Sequence, residues 1–250
     1  MLGKLIDWSL KKEWSDEQVQ NYVGNHKASY LAHATDPIVR QNAASGGVVS
    51  ALLIHGLNSD IFDGIVICKT VLLNGKVRAK FEIATTVDEV LDAQGSKYVE
   101  TQFLKEVLPL LHSFKGRVAV VGLPCDISAL RHRCEKEPTL AKKVVLTIAL
   151  FCGHNSRTGL VDEITSRLEL EAEQKLRDYK FRIGHWRGRL KANFENGTTI
   201  TKPSKFFNDY QNLFFFCERK CMACSDHYGY HADISIGDIW LFRLKEDPIK

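Results

Sequence analysis

Seven cysteines are the residues of this chain whose type and spacing point to chemistry. An odd number cannot pair completely, and a reducing compartment keeps thiols free, so metal ligation or redox work is the leading explanation. Cys221 and Cys224 form C-x-x-C within FFFCERKCMACSDHYGY, a spacing that lets two thiolates turn toward one metal centre. Cys125 in GLPC and Cys152 in FCGHNS each follow the carboxyl end of a predicted strand, where an open α/β sheet collects its ligand-binding loops. Together the four supply the thiolates that a cubane cluster requires.

Other readings of the same residues stay open. With Cys217 the run becomes C-x-x-x-C-x-x-C, the spacing of radical enzymes that use S-adenosylmethionine, but the residues after Cys224 are too few for the barrel those enzymes need. Cys217, Cys221, Cys224 and His227 or His231 could instead form a structural zinc site, which leaves Cys125 and Cys152 without a role. Cys68, inside an apolar strand, and Cys134, near a helix end, read as small buried hydrophobes.

A second group of residues is glycine-rich. Ser45 is the expected N-cap of a helix whose apolar face carries Val48, Val49, Leu52, Leu53 and Leu57, which puts Gly46 and Gly47 in its first turn. Unpaired amides there favour an anion, whereas the plainer reading is a tight turn packed on a neighbour. Gly95, Ser96, Lys97 and Tyr98 offer a hydroxyl, a cation and a ring on one loop, suited to a nucleotide but common in ordinary loops. Lys97, His154 and His185 are available acids or bases, and no side chain is assigned as catalytic.

The elements that must position these residues alternate between helix and strand, so the expected class is α/β: a mixed sheet flanked by helices, with a smaller strand-rich lobe toward the carboxyl end. Strands are expected at 62–70, 76–83, 117–121 and 144–151, and helices at 86–93, 101–114, 126–134 and 158–168. Beyond Asp178 short strands follow, with Asn196-Gly197 as a hairpin turn. Residues 16–24 and 27–34 read as weakly helical or irregular, so the first thirty residues form an arm. At 44% hydrophobic, the 250 residues can bury a full core. The formal balance of +4 does not argue for nucleic acid. Charges interrupt the opening MLGKLIDWSLKKEWSDEQ, which lacks the form of a secretory signal, and no apolar run reaches the roughly 18 residues of a membrane span. A cytoplasmic protein is expected.

In order, SGG, GSKY, GLPC, FCGHNS, C-x-x-C and ADISIGDIW resemble the β-subunit family of coenzyme F-420 hydrogenases and dehydrogenases, over about Ser29 to Trp240. The resemblance implies FAD and a four-iron, four-sulfur (4Fe-4S) cluster, in an oxidoreductase that exchanges electrons between a two-electron carrier, coenzyme F-420 or similar, and one-electron centres. It implies cluster ligation by Cys125, Cys152, Cys221 and Cys224, with Cys217 outside the set, and a flavin site lined by Ser45, Gly46, Gly47, Gly95, Ser96, Lys97 and Tyr98. By the same resemblance, 31–110 is a flavin-binding part and 111–250 carries the cysteines, after the arm at 1–30. Many relatives place ferredoxin-like cysteine runs before SGG, yet the first cysteine here is Cys68, so a redox partner protein carrying further iron-sulfur centres is implied beside the small-molecule carrier. Relatives also commonly continue beyond the segment that ends here ten residues after Trp240. A non-catalytic electron-transfer or docking subunit of a larger complex is the alternative.

Overall fold

The computed structural model describes residues 15–184, 188–203 and 214–238, without the side chain of Tyr22. His185 and Trp240 lie outside them. The chain divides into two compact units, Met1–Leu31 and Ala32–Lys250. In the first, helix α1 (Asp16–Val23) opens on a capping box, with Ser15 Oγ accepting from Gln18 N at 3.2 Å and Gln18 Oε1 accepting from Ser15 N at 3.1 Å. Residues 27–34 form no helix.

The second unit is built on a five-stranded mixed sheet. Strands β1 (Gly64–Leu73) and β2 (Lys76–Ala84) form an antiparallel hairpin, closed at Asn74-Gly75, where both residues take the positive φ that a two-residue turn with the strands' own twist demands. Strands β3 (Val118–Gly122), β4 (Val144–Leu150) and β8 (Ile234–Ile236) run parallel to β1, in the order β2-β1-β3-β4-β8. The apolar run VAVVG suits a strand buried on both faces. Side chains alternate accordingly: Val66, Val118 and Val120 pack on one face against Val107, Leu111 and Ile127, while Ile65, Ile67 and Ala119 pack on the other against Leu53 and Val90.

Helices provide both layers. On one face lie α5 (Phe103–Ser113) and α6 (Pro124–Lys136), and on the other α3 (Val48–Asn58) and α4 (Val87–Asp92). Short helices α2 (Pro37–Asn42) and α7 (Pro138–Lys143) have no counterpart in the sequence reading. A three-stranded antiparallel sheet of β5 (Leu176–Ile183), β6 (Arg189–Phe194) and β7 (Thr199–Pro203) packs on α8 (Thr158–Ala172), with Tyr179, Phe181 and Leu190 meeting Leu160, Ile164 and Leu168. Gly197 takes φ 85° in the β6–β7 turn, at the expected hairpin. The class is thus α/β with a separate small sheet.

The start of α3 differs from expectation in its capping residue. Helix α3 opens at Val48 with Gly47 as N-cap at φ 78°, so Ser45 is not the cap and Gly46 and Gly47 precede the first turn. Positive φ at the cap suits glycine and strains any residue with a Cβ, which outweighs the preference for serine. Among the described residues no helix is long and apolar enough to cross a membrane.

Candidate redox site

Strand β3 ends at Gly122 and the chain turns straight into α6, so Pro124 takes the first helical position and Cys125 sits in the first turn. Asp126 holds that start by accepting from Leu123 N at 3.1 Å. The neighbouring parallel strand β4 delivers Cys152 just beyond its carboxyl end. Sheet topology therefore puts these two cysteines side by side although their sequence positions are distant.

The C-x-x-C pair reaches the same place because the chain returns to the main sheet. Cys221 lies in a short 3-10 helix, Arg219–Ala223, with Cys224 at its end. After them β8 joins the edge of β4, pairing Ile148 with Ile234 and Leu150 with Ile236. Cys152 is clamped to the returning loop twice: its N–H donates to His227 O at 3.1 Å, and its carbonyl accepts from His227 Nδ1 at 2.9 Å. Asp233 anchors the strand start, accepting from Thr147 N and Oγ1 at 2.8 Å each and pairing with Arg131 at 2.7 Å.

Cys125, Cys152, Cys221 and Cys224 line one cavity, with Asn155, Lys220 and Asp226 among its other walls. The thiols feel one another. Burial, then the Asp126 carboxylate, pushes Cys125 up to about 11, with Lys220 pulling the other way. Burial, then Cys221, Cys125 and Cys224, pushes Cys152 up to about 12. Both shifts disfavour the thiolate forms of Cys125 and Cys152, so ionising these two thiols calls for positive charge in the cavity.

Among the described residues no group of three or more His, Cys, Asp or Glu side chains stands where it could hold a metal ion. Ligands of one ion must converge on a point, whereas a 4Fe-4S cluster takes one thiolate per iron and spreads its ligands over the corners of a cube. Cys217 is buried and does not line the cavity. Cys134 is buried in the main core and Cys68 packs partly buried against it.

The glycine pair occupies a tight turn. A Cβ on Gly46 would stand 3.2 Å from Ala32 O, and one on Gly47 3.1 Å from Ala34 Cβ. The opening of α3 beyond Gly47 has no side-chain cap. Gln94, just before the GSKY loop, donates to Val39 O at 3.1 Å and to Ser50 Oγ at 3.0 Å, which brings Gly95–Tyr98 beside the start of α3. Two buried polar atoms at this junction have no partner among the described residues, Gln94 Oε1 and Arg40 Nε. Such orphans are costly unless something polar meets them, so the junction suits a polar ligand. Neither residue belongs to a sequence motif; their spatial neighbours alone reveal them.

Lys97 is turned onto its own loop, donating to Ala93 O and, at 2.9 Å, to Gly95 O. Tyr98 packs edge-on against Phe181 and hydrogen-bonds Arg182, itself buried and paired with Asp238 of the GD-x-W segment. His154 lies over the Phe214 ring, centroids 4.5 Å apart.

Burial pushes the Lys97 ammonium down to about 8, below its unfolded value of about 10.4. Between these values the unfolded chain binds a proton that the folded chain lacks, so this group makes stability rise from about pH 8 to about pH 10.4. Urea denaturation across that window should show the rise in the native chain and its loss in Lys97→Met.

Comparison with known proteins fits this geometry. The model of the amino-terminal part of the coenzyme F420 hydrogenase/dehydrogenase beta subunit matches residues 29–108, and the model of that subunit's carboxyl-terminal part matches 115–248. This chain belongs to that beta-subunit family. It is similar to the coenzyme F420 hydrogenase subunit beta of Methanosarcina barkeri, with 26% identity over 87% of this chain and 72% of the relative, and to that of Methanococcus voltae, with 27% identity over 86% and 74%. In fold it resembles a chain of the F420-reducing nickel-iron hydrogenase complex from Methanosarcina barkeri, with TM-score 0.59, 24% identity, and coverage of 83% of this chain and 68% of that one. Within this family member, the amino-terminal match contains the Ser45–Gly47 and Gly95–Tyr98 segments, and the carboxyl-terminal match contains all four cavity cysteines.

Proposed function

We propose that the chain is a flavin and iron-sulfur oxidoreductase subunit of a larger redox assembly, exchanging electrons between a two-electron carrier of the coenzyme F420 type and one-electron centres on a partner. One observation carries the reading: thiols from three separate stretches of chain line a single cavity. That donor set fits a 4Fe-4S cluster, with Cys125, Cys152, Cys221 and Cys224 as its ligands. FAD fits the junction of Ser45–Gly47 with Gly95–Tyr98, where Arg40 Nε and Gln94 Oε1 lack partners among the described residues.

When bound, FAD supplies conversion between hydride and single electrons, and the cluster supplies a one-electron path. The chain's own residues set the conditions. Arg40 offers a cation to the phosphates, Gln94 an acceptor to a ligand N–H or O–H, and Gly47 lets the backbone turn at positive φ. Tyr98, at the end of the Gly95–Tyr98 loop, is fixed by Phe181 and Arg182. The Cys152–His227 clamp holds the two halves of the thiol set in register.

Anaerobic purification followed by metal, sulfide and flavin analysis tests the proposal. The expected result is a brown protein with about four irons per chain, releasable FAD, and reduction of coenzyme F420 or oxidation of its reduced form. A colourless, zinc-containing preparation would overturn it. Arg40→Ala should weaken FAD at least about tenfold, the size of a lost charged hydrogen bond, as read by fluorescence titration.

A further inference from the structure

One buried residue touches both candidate cofactor sites. Asn155 lies in FCGHNS just beyond Cys152. Its backbone N–H donates to Cys221 Sγ at 3.4 Å, and its side-chain Nδ2 donates to Val99 O at 3.3 Å. Val99, also buried, is the residue that follows the Gly95–Tyr98 loop. A third bond fixes the plane of the amide, because Asn155 Oδ1 accepts from Ser156 N at 2.9 Å. The main chain of Asn155 thus supports a cavity sulfur while its side chain holds the end of the other site's loop.

The surrounding backbone makes this link stiff. On one side Glu100 N donates to Ser156 O at 2.7 Å, and the Glu100 carboxylate accepts from Thr158 N at 3.0 Å and Thr158 Oγ1 at 3.2 Å at the start of α8. On the other side Ser156 forms an antiparallel bridge with Cys217, Glu218 N donates to Asn155 O at 3.1 Å, and Arg157 N donates to Phe216 O at 2.8 Å. Residues 155–157 therefore stand between the segment that leaves the Gly95–Tyr98 loop and the segment that enters the C-x-x-C pair. What orders one flank orders the other.

We infer that Asn155 is a positioning residue that couples the two sites, so that filling the thiol cavity tightens FAD and FAD tightens the cluster by the same factor. The inference rests on the FAD and four-thiol readings above. Its physical basis is the Cys221 sulfur, which becomes an ionised acceptor when it ligates iron; hydrogen bonds to ionised acceptors are roughly twice as strong as those to neutral ones. A stronger hold on the Asn155 main chain immobilises the side chain that grips Val99 O. Ordering completed in this way need not be repeated when FAD binds, and coupling between two binding equilibria is symmetric. Fixing the backbone of about one residue corresponds to about tenfold in affinity, within the usual range of such couplings.

The test is anaerobic equilibrium dialysis of FAD against the full chain, with and without reconstituted iron and sulfide, for the native sequence, Asn155→Ala and Asn155→Ser, with iron measured on each. Both variants keep the backbone N–H to Cys221 and lose the bond to Val99 O; the serine hydroxyl still offers an acceptor to the Ser156 N–H, so the local turn survives. The native chain is expected to bind FAD about tenfold more tightly when loaded, and both variants should bring that ratio to about one. A purely structural Asn155 would weaken FAD equally in the loaded and unloaded forms and leave the ratio unchanged. That result overturns the inference, as does a native ratio near one, or loss of iron from both variants, which would assign Asn155 to the cluster alone. If Asn155→Ala does not fold, Asn155→Ser decides. Failure of the native chain to bind iron and sulfide, or to bind FAD in either form, would instead defeat the underlying readings, and metal and flavin analysis of the native chain shows it directly.

Discussion

Serine at position 125 or 152 should cut the iron and sulfide bound by the anaerobically reconstituted chain at least about tenfold, the lower end of what even supporting groups contribute to metal affinity. Both residues sit at the carboxyl ends of adjacent parallel strands and line the cavity with Cys221 and Cys224. A hydroxyl is a hard, weakly acidic donor, whereas the iron of a cluster takes soft thiolate. The rest of the fold should tolerate the change, because the packed faces of β3 and β4 lie in the strands themselves rather than at these ends. A zinc site formed by Cys217, Cys221, Cys224 and a histidine predicts the opposite pattern: metal is lost on changing Cys217 and retained on changing Cys125. Full iron in both Cys125→Ser and Cys152→Ser would remove the basis for a shared centre.

Gly229→Ala is expected to destabilise the chain by about 3 kcal/mol, the sum of two separate penalties. Gly229 holds φ 81°, where an L side chain costs about 1 kcal/mol. A Cβ there would stand 2.3 Å from Cβ of the fully buried Ala149, near the carboxyl end of β4, and overpacking of that kind costs about 1–3 kcal/mol. Relief by local movement is blocked. Asp226 Oδ1 accepts from Gly229 N at 2.7 Å, and Ser235 Oγ donates to Gly229 O at 3.1 Å, so the turn is tied at both ends. Urea denaturation of the cluster-free chain measures the effect, and a loss below about 1 kcal/mol would mean that the turn is softer than its contacts imply.

Where local chemistry decides the outcome, the sequence is readable. Thr86 opens a helix because its hydroxyl and Glu89 satisfy each other's backbone amides, and that pattern is visible in four residues. The apolar run at 118–121 cannot be exposed and becomes a central strand. The start of α3 escapes local reasoning because serine is a good cap only where the backbone is extended; the required positive φ at Gly47 comes from packing against Ala34 and Val39. Strand β8 is three residues long, too short for periodicity to distinguish, and exists through its pairing with β4. The same limit hides Arg40 and Gln94, whose interest lies in what surrounds them. The four cysteines can be gathered by type and by their places after strands, but the His227 clamp and the Asp233 anchor that bring them together are properties of the folded chain.

The edge position of β8 also orders events in time. Cys125 and Cys152 leave the ribosome roughly 70 residues or more before Cys221, a gap of several seconds at about 5–20 residues per second. During that interval the nascent polypeptide presents two thiols without their counterparts, and the earliest moment at which all four can line one cavity is set by the docking of Ile234–Ile236 beside the strand that ends at Leu150.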